Sequence, residues 1–541
     1  MTATPDTVAS IPESLRLAAA EDPDLEAIVD GDLRLTFAQL DAEVTAFARS
    51  AVASGLEPGD RAAVWAPNSA RWCIAALGIM AAGGVLTPIN TRYLGAEAQF
   101  ALNRARAVML VTEEGFLDKS YLTMLRETAA PTGDDWGADV EPQLLPGVPY
   151  LSTIVDIGST GDDIATDWDD FIARGASVDA SVIDERIAAL TPESIADILF
   201  TSGTTGYPKG AMVSHGSNVK TNWEWGANVG LRRHDRYLLV NPLFHSFGYR
   251  AGLLTSLQHR ATVYPVRTLD PEATQQLIQD EKITVMPGAV TMYTTIMDHP
   301  SFGTYDLDSV RLAVTGASVV PVPVLQRMRA ELGIKDILTA YGLTESCGTA
   351  TVCPPDATLD RLSTTSGIAI PGTEVQIMDR NGELLPPREH GEIVIRGYNV
   401  MAGYFEDPEA TAKAIDADGW LHSGDVGWLD EDGYLTITDR IKDVITVGGF
   451  NVYPAEIERV LLEHPGVGQV AVVGIPDERL VEVAKAFVVC RRGQMVTEDE
   501  LIAHCRKHLA NFKVPREVEI KTELPQTPTG KIQKFLLADK K

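Results

Sequence analysis

LFTSGTTGYPKGAMVSH, Leu199–His215, decides how the chain is read. Between Thr201 and Met212 it packs three glycines, four Ser/Thr hydroxyls and one lysine into twelve positions. An apolar run, expected as a strand over Ile195–Phe200, delivers the loop, and AMVSH after it is again strand-like. Gly203 and Gly206 let backbone approach an oxyanion closely. The loop amides and the hydroxyls of Thr201, Ser202, Thr204 and Thr205 supply the donors of an anion-binding nest. A P-loop NTPase needs GxxxxGK[ST] with a helix starting at the lysine. Here Lys209 stands between Pro208 and Gly210 and leads into a strand, so that reading fails. A surface hairpin rich in Gly and Thr would use the same residues, and the loop alone does not separate the two.

The rest of the chain narrows the choice. At 541 residues it exceeds the roughly 250–300 at which a single core stops growing, so at least two domains are expected. Hydrophobic residues make up 45% and charged residues 22%, the balance of a folded globular protein rather than a disordered or fibrous one. Asp and Glu outnumber Lys and Arg 75 to 46, a net charge of −29 that repels nucleic acid and anionic lipid. A nucleic-acid partner is therefore not expected. An anionic small ligand is still compatible, because a few aimed amides and basic groups reverse the potential inside one cleft. Five cysteines, with no CxxC pair, argue against a disulfide framework or structural zinc and fit a reducing cytoplasm. The apolar run Cys73–Leu86 is broken by Gly78, Gly83 and Gly84 and falls short of the roughly 20 residues of a membrane span; it reads as a buried helix. The start, MTATPDTVASIPESL, is no secretory signal.

From Gly59, GDRAAVWAPNSARWCIAALGIMAAGGVLTPIN alternates strand, capped helix and strand, a βαβ rhythm that implies parallel sheet. The alternation recurs at DRYLLVNPLFHS and at VRLAVTGASVVP with its following helix, so an α/β architecture is expected. Residues Gly133–Asp179, rich in Gly, Asp, Pro and Thr, read as a long surface excursion outside the core. After Ile368, short strands with Gly-containing turns predict a β-rich subdomain. After Arg440 the pattern predicts a small α+β unit with a helix from Pro454, strands over Gln469–Val473 and AKAFVVC, and a helix in EDELIAHCRKHL.

Two further stretches carry site-type residues. YGLTES, Tyr341–Ser346, follows the strand DILTA and sets an aromatic, a glycine, a hydroxyl and a carboxylate at a strand end, where α/β ligand clefts form. Tyr341 is able to stack on a base and Glu345 to meet Mg²⁺ held by phosphates; a helix cap at Thr344 is the plainer alternative. HSGDVGWLDEDGYLTITDRIKD supplies Asp425, an acceptor for two ribose hydroxyls, and Arg440, a match for phosphate.

Taken in order, TSGTTGYPKG, YGLTE, the Asp425 segment, DRIKD, GGFNVYPAEIE and a final PTGKI resemble the adenylate-forming superfamily, the group of acyl-CoA synthetases, luciferases and peptide-synthetase adenylation domains. The resemblance covers nearly the whole chain. It implies a large AMP-binding N-terminal domain of stacked α/β subdomains plus a β-rich subdomain over residues 1–439, a hinge at 440–442, and a small mobile α+β C-terminal domain over 443–541. It implies that Thr201, Ser202, Gly203, Thr204, Thr205, Gly206 and Lys209 surround the β- and γ-phosphates of ATP. Gly316, Ala317 and Ser318 of TGAS, with Tyr341 and Gly342, would border adenine, Thr344 would meet the α-phosphate, and Glu345 with Thr204 would hold Mg²⁺. Asp425 would hold the ribose hydroxyls, Arg440 a ribose or phosphate oxygen, and Lys531 the carboxylate and α-phosphate. In relatives the small domain turns about the position of Lys442 and presents that of Gly449, next to Gly448, to the pantetheine arm of CoA.

The branch is read from PLFHSFGYRAG. Amino-acid adenylation domains resemble one another in carrying an aspartate here, whereas Phe244, His245, Ser246, Phe247, Gly248 and Tyr249 offer no carboxylate. A neutral aliphatic or alicyclic acid is expected, with His245 resembling the gate beside the acyl pocket of fatty acyl-CoA synthetases; an ordinary strand-end histidine is the alternative. The expected reaction is an AMP-forming acid–CoA ligase, most like bacterial ligases of medium-chain or ring-containing acids, including steroid-ring propionates. Loading of a carrier protein is the nearer rival, luciferase-type oxygenation the rarer one. A non-enzymatic binding role would be marked by loss of Lys531, Glu345 or the loop, and all are intact. Val481 stands where relatives commonly have glycine, on the side that faces the thiol. Whether the protein works as a homodimer is left open.

Overall fold

The computed structural model describes residues 8–128, 144–201, 208–316, 320, 322–440, 443–447, 450–477, 480–491, 493–509, 511–526 and 532–537. An eight-stranded sheet runs in the order Gly403–Tyr404, Lys209–Ser214, Ile195–Thr201, Val85–Pro88, Arg61–Trp65, Ala107–Thr112, Thr153–Asp156 and Thr166–Asp167. Arg61–Trp65 pairs in parallel with Val85–Pro88, as the βαβ rhythm predicts. The capped helix between them is Ala70–Ala81, where Ser69 Oγ accepts from Trp72 N at 3.2 Å. Every residue of that helix but Arg71 is buried, so its apolar surface meets protein on all sides.

A second sheet joins Leu33–Thr36, Glu26–Asp30, Thr262–Pro265 and Arg236–Leu239. It continues through parallel bridges at Val285 into Leu312–Gly316, Asp336–Tyr341, Thr351–Val352 and Ile368–Ala369. One apolar cluster contains Ile28, Leu239 and Val263 of this sheet, Val64 and Leu86 of the other, and the buried helix, so the two sheets share a core. Asn68 ties them by hydrogen bonds as well: its Nδ2 donates to the carbonyls of Leu239 (3.1 Å) and Asn241 (3.0 Å), and its Oδ1 accepts from Leu243 N at 2.8 Å.

The β-rich part is a four-stranded antiparallel sheet of Thr373–Met378, Gly391–Gly397, Leu421–Leu429 and Leu435–Arg440. Beyond it, the helices Pro454–Leu462 and Glu498–His508 pack on a sheet built around the hairpin Val467–Asp477 and Val481–Cys490, with Ile457, Val460, Val472, Ala486 and Leu501 in its core. Both hairpin strands run longer than their apolar stretches, because the ladder extends through Gly474–Asp477 opposite Val481–Ala484. No helix among the described residues is long and apolar enough to cross a membrane.

The segment expected as a surface excursion is corrected. Of Gly133–Asp179, residues 133–143 lie outside the described ones, but the remainder is built into the domain. Thr153–Asp156 is a strand of the large sheet with all four residues buried. Trp168–Arg174 is a helix whose Phe171 ring sits 5.1 Å from that of Phe47. A four-residue strand buried on both faces has no alternation to read, and its Gly- and Asp-rich flanks dominate the local composition. Phe171→Ala is expected to destabilise the N-terminal domain by about 3–5 kcal/mol, the cost of emptying an aromatic site. A surface loop would tolerate the change within about 0.5 kcal/mol; the midpoint of urea unfolding, followed by tryptophan fluorescence, distinguishes the two.

Candidate active site

The strand of the opening stretch spans Ile195–Thr201 and turns into an antiparallel partner, Lys209–Ser214, with Thr201 opposite Lys209. Ser202, Gly203, Thr204, Thr205 and Gly206 lie outside the described residues. On its far edge Lys209–Ser214 pairs with Gly403–Tyr404. This pairing sets the Lys209 ammonium 5.2 Å from the centre of the Tyr404 ring. The Tyr404 hydroxyl donates to Glu345 Oε1 at 2.9 Å. Burial and the neighbouring Glu345 charge push the Tyr404 phenol up, so it stays protonated and remains a donor. Ammonium, phenol and carboxylate thus form one chain at the mouth of the loop.

Glu345 belongs to a short 3₁₀ turn, Thr344–Ser346, that follows the strand Asp336–Tyr341. Thr344 opens the turn, and Leu343 precedes it as the cap. The turn folds back tightly: a Cβ on Gly342 would lie 2.3 Å from the Gly348 carbonyl oxygen, so only glycine fits there. Met401 N donates to Glu345 O at 2.8 Å, which fixes the turn against the approach to Tyr404.

The Tyr341 hydroxyl donates to Asp425 Oδ2 at 2.7 Å, joining the end of the parallel sheet to the antiparallel one. Asp425 is buried and stands opposite Arg440 in the ladder. Gly316 ends the strand Leu312–Gly316 opposite Ala340, one residue before Tyr341. Ala317 and Ser318 lie outside the described residues.

His245 caps the short helix Ser246–Gly248, its Nδ1 accepting from Phe247 N at 3.2 Å. Its ring is exposed, and the adjacent Ser246 Cβ lies 3.2 Å from where a Gly348 Cβ would stand, so the segment abuts the Glu345 turn. Lys209, Tyr404 and Glu345 therefore form one connected group and Tyr341 and Asp425 another, drawn from three sheets. Lys442, Gly448, Gly449 and Lys531 lie outside the described residues. Asp439, three residues before Lys442, accepts from Ala455 N at 2.9 Å through Oδ2, and the His390 ring stacks on Tyr453 with centres 5.6 Å apart. Tyr404 was missed by the sequence reading, because its neighbours Lys209 and Glu345 are distant in the chain. The one local sign is an aromatic directly after glycine at the edge of a strand.

The family model described as AMP-binding enzyme matches residues 15–405, and that of the AMP-binding enzyme C-terminal domain matches residues 456–531. Similar proteins include a 3-[(3aS,4S,7aS)-7a-methyl-1,5-dioxo-octahydro-1H-inden-4-yl]propanoyl:CoA ligase of Rhodococcus jostii, 45% identical over 100% of both chains. Another is the mitochondrial medium-chain acyl-CoA ligase ACSF2 of Danio rerio, 34% identical over 98% of this chain and 88% of that one. Among solved structures, ATP-bound MatB from Rhodopseudomonas palustris superposes with a TM-score of 0.82 at 28% identity, covering 98% of both chains. The anthranilate CoA ligase AuaEII, in complex with anthranoyl-AMP, superposes with a TM-score of 0.85 at 28% identity over 98% of this chain and 96% of that one. With this site on this fold, the chain belongs to the AMP-binding enzymes of the adenylate-forming superfamily, in their acyl-CoA ligase branch.

Proposed function

We propose that the enzyme activates a propanoate carried on an alicyclic, ketone-bearing ring system, or a medium-chain acid of similar bulk, as its CoA thioester. The choice of acid rests on the 45% identity, over the whole chain, with the ligase of the indene-derived propanoate. The carboxylate-free segment Phe244–Tyr249 supports it, since an amine-bearing acid would need a counter-charge there. The unpaired state of all five thiols fits work in the cytoplasm.

In the first step a substrate carboxylate oxygen attacks the α-phosphorus of ATP, the α–β phosphoanhydride breaks, and pyrophosphate leaves. Anion meets anion, so the barrier is mainly electrostatic. Lys209 and the loop from Thr201 to Gly206 would take up the β- and γ-phosphates, while Tyr341 and Asp425 orient the nucleoside and Thr344 the α-phosphate. Glu345 is a hard oxygen donor beside the phosphate side, and one carboxylate suits Mg²⁺, which takes few protein ligands and keeps water and phosphates. When bound, that ion spreads the phosphate charge. Lys531 would bridge the carboxylate and the α-phosphate during this step. In the second step the CoA sulfur attacks the acyl carbonyl, the acyl–phosphate bond breaks, AMP leaves, and the thiol proton passes to solvent. Rotation of the small domain about Lys442, bringing Gly449 to the pantetheine arm, would open the carbonyl to that attack.

With ATP, Mg²⁺ and CoA, a screen of carboxylic acids is expected to give acid-dependent AMP and pyrophosphate, with ring-bearing propanoates among the best substrates. ADP and phosphate as products would overturn the mechanism, and acyl transfer to a carrier protein in preference to CoA would overturn the acceptor. Lys531→Ala is expected to slow adenylate formation by at least about 10²-fold while thioester formation from supplied acyl-adenylate survives. Equal loss in both half-reactions would assign Lys531 to folding instead. Tyr404→Phe keeps the ring over Lys209 and removes the hydrogen bond to Glu345. It is expected to lower kcat/KM for ATP by about tenfold or more, the scale of one hydrogen bond to a charged group; parental kinetics would show that Glu345 needs no such support.

A further inference from the structure

Asp197 and Arg250 form an ion pair in the core of the nucleotide-binding domain, 0% and 1% exposed. Neither belongs to the groups expected to touch substrate. Asp197 lies on the strand Ile195–Thr201 that leads into the phosphate loop. Arg250 lies on a single π-helical turn, Tyr249–Leu254, a rare local form often found at functional sites. Burying two charges is costly, and an apolar pair of equal volume commonly serves stability as well or better. Such a pair therefore points to a task other than packing.

Their hydrogen bonds show one. Arg250 Nη2 donates to Asp197 Oδ1 at 2.5 Å, and Nη1 of the same guanidinium donates to the Thr344 carbonyl at 3.0 Å. On its other side Asp197 Oδ2 accepts from Asn218 Nδ2 at 2.8 Å, and Asn218 Oδ1 lies 3.6 Å from the Cys347 sulfur. The Cys347 thiol donates to that amide oxygen. Thr344 opens the turn that carries Glu345, and Cys347, with φ at 55°, closes it. One carboxylate therefore reaches both ends of the turn through two rigid arms. The planar fork of arginine holds two acceptors at a fixed separation.

We infer that Asp197, Arg250 and Asn218 are positioning residues, a buried clamp that sets the Thr344–Glu345 turn in register with the strand feeding the phosphate loop. The clamp rests on the adenylation reading above and adds residues that need not touch ATP or the acid. Because misplacement of reacting groups by about 1 Å costs roughly 10²-fold in rate, a clamp of this kind acts on turnover more than on binding of the acid.

The test is the paired replacement Asp197→Leu with Arg250→Met, which removes both charges together and leaves no lone buried ion. Melting temperature, ATP/pyrophosphate exchange at saturating ATP and acid, and KM for the acid are measured beside the parent. The expected result is a folded variant melting within roughly 5 °C of the parent, with exchange turnover lower by about tenfold or more and KM for the acid nearly unchanged. Parental exchange in the folded variant would overturn the inference, as would a fall in exchange matched by an equal rise in KM for the acid. Should the pair fail to fold, Arg250→Lys keeps the charge opposite Asp197 but lacks the fork; selective loss of turnover supports the clamp, and parental turnover overturns it. A parent that shows no exchange with any acid would sink the proposed reaction, a distinct outcome.

Discussion

A strand of six residues, Lys209–Ser214, is hydrogen-bonded on both edges, and the site depends on that double pairing. On one edge it runs antiparallel to Ile195–Thr201, so Lys209 stands opposite Thr201. On the other it recruits Gly403–Tyr404, nearly two hundred residues later, and with it the phenol that holds Glu345. Main-chain hydrogen bonds fix strand spacing near about 4.8 Å and register to a single residue. Slipping Tyr404 by one position would turn its side chain to the other face of the sheet. The alignment of a basic, a phenolic and an acidic group therefore comes from backbone geometry, with the side chains supplying only the last contact.

Much of this was legible in the residues. The YGLTES turn and the Asp425 hairpin are local patterns, and the turn reports its own backbone: a glycine where carbonyls crowd, a hydroxyl and a carboxylate after a strand end. What stayed hidden is what lies between patterns. Tyr404 meets Glu345 across 59 positions, and Arg250 meets Asp197 across 53, separations that no periodicity encodes. Asp197 and Arg250 did leave a sign, since an acid inside IADILF and a base inside YRAGLL are charges in apolar runs, which survive burial only as partners. The strand Thr153–Asp156 left almost none, because four buried residues between turn-rich flanks carry no alternation.

Charge distribution shows the same division between surface and site. The chain carries a net charge of −29, yet the groups described at the site include the Lys209 ammonium. An acidic exterior does not draw in an anionic nucleotide by long-range attraction, so its recognition comes at contact. The buried helix Ala70–Ala81 and the core shared by both sheets back the strands that lead to these groups.

Asn68 makes a different kind of difference. By fastening the carbonyls of Leu239 and Asn241 and the amide of Leu243, it anchors the root of the segment proposed to meet the acid, just ahead of His245. The segment thus starts from a fixed point on the core shared by both sheets. Residues Phe244–Tyr249 leave that anchor and pass beside the Glu345 turn, so the course of this segment and the placing of that turn are linked. A single amide side chain thus sets where that segment leaves the core.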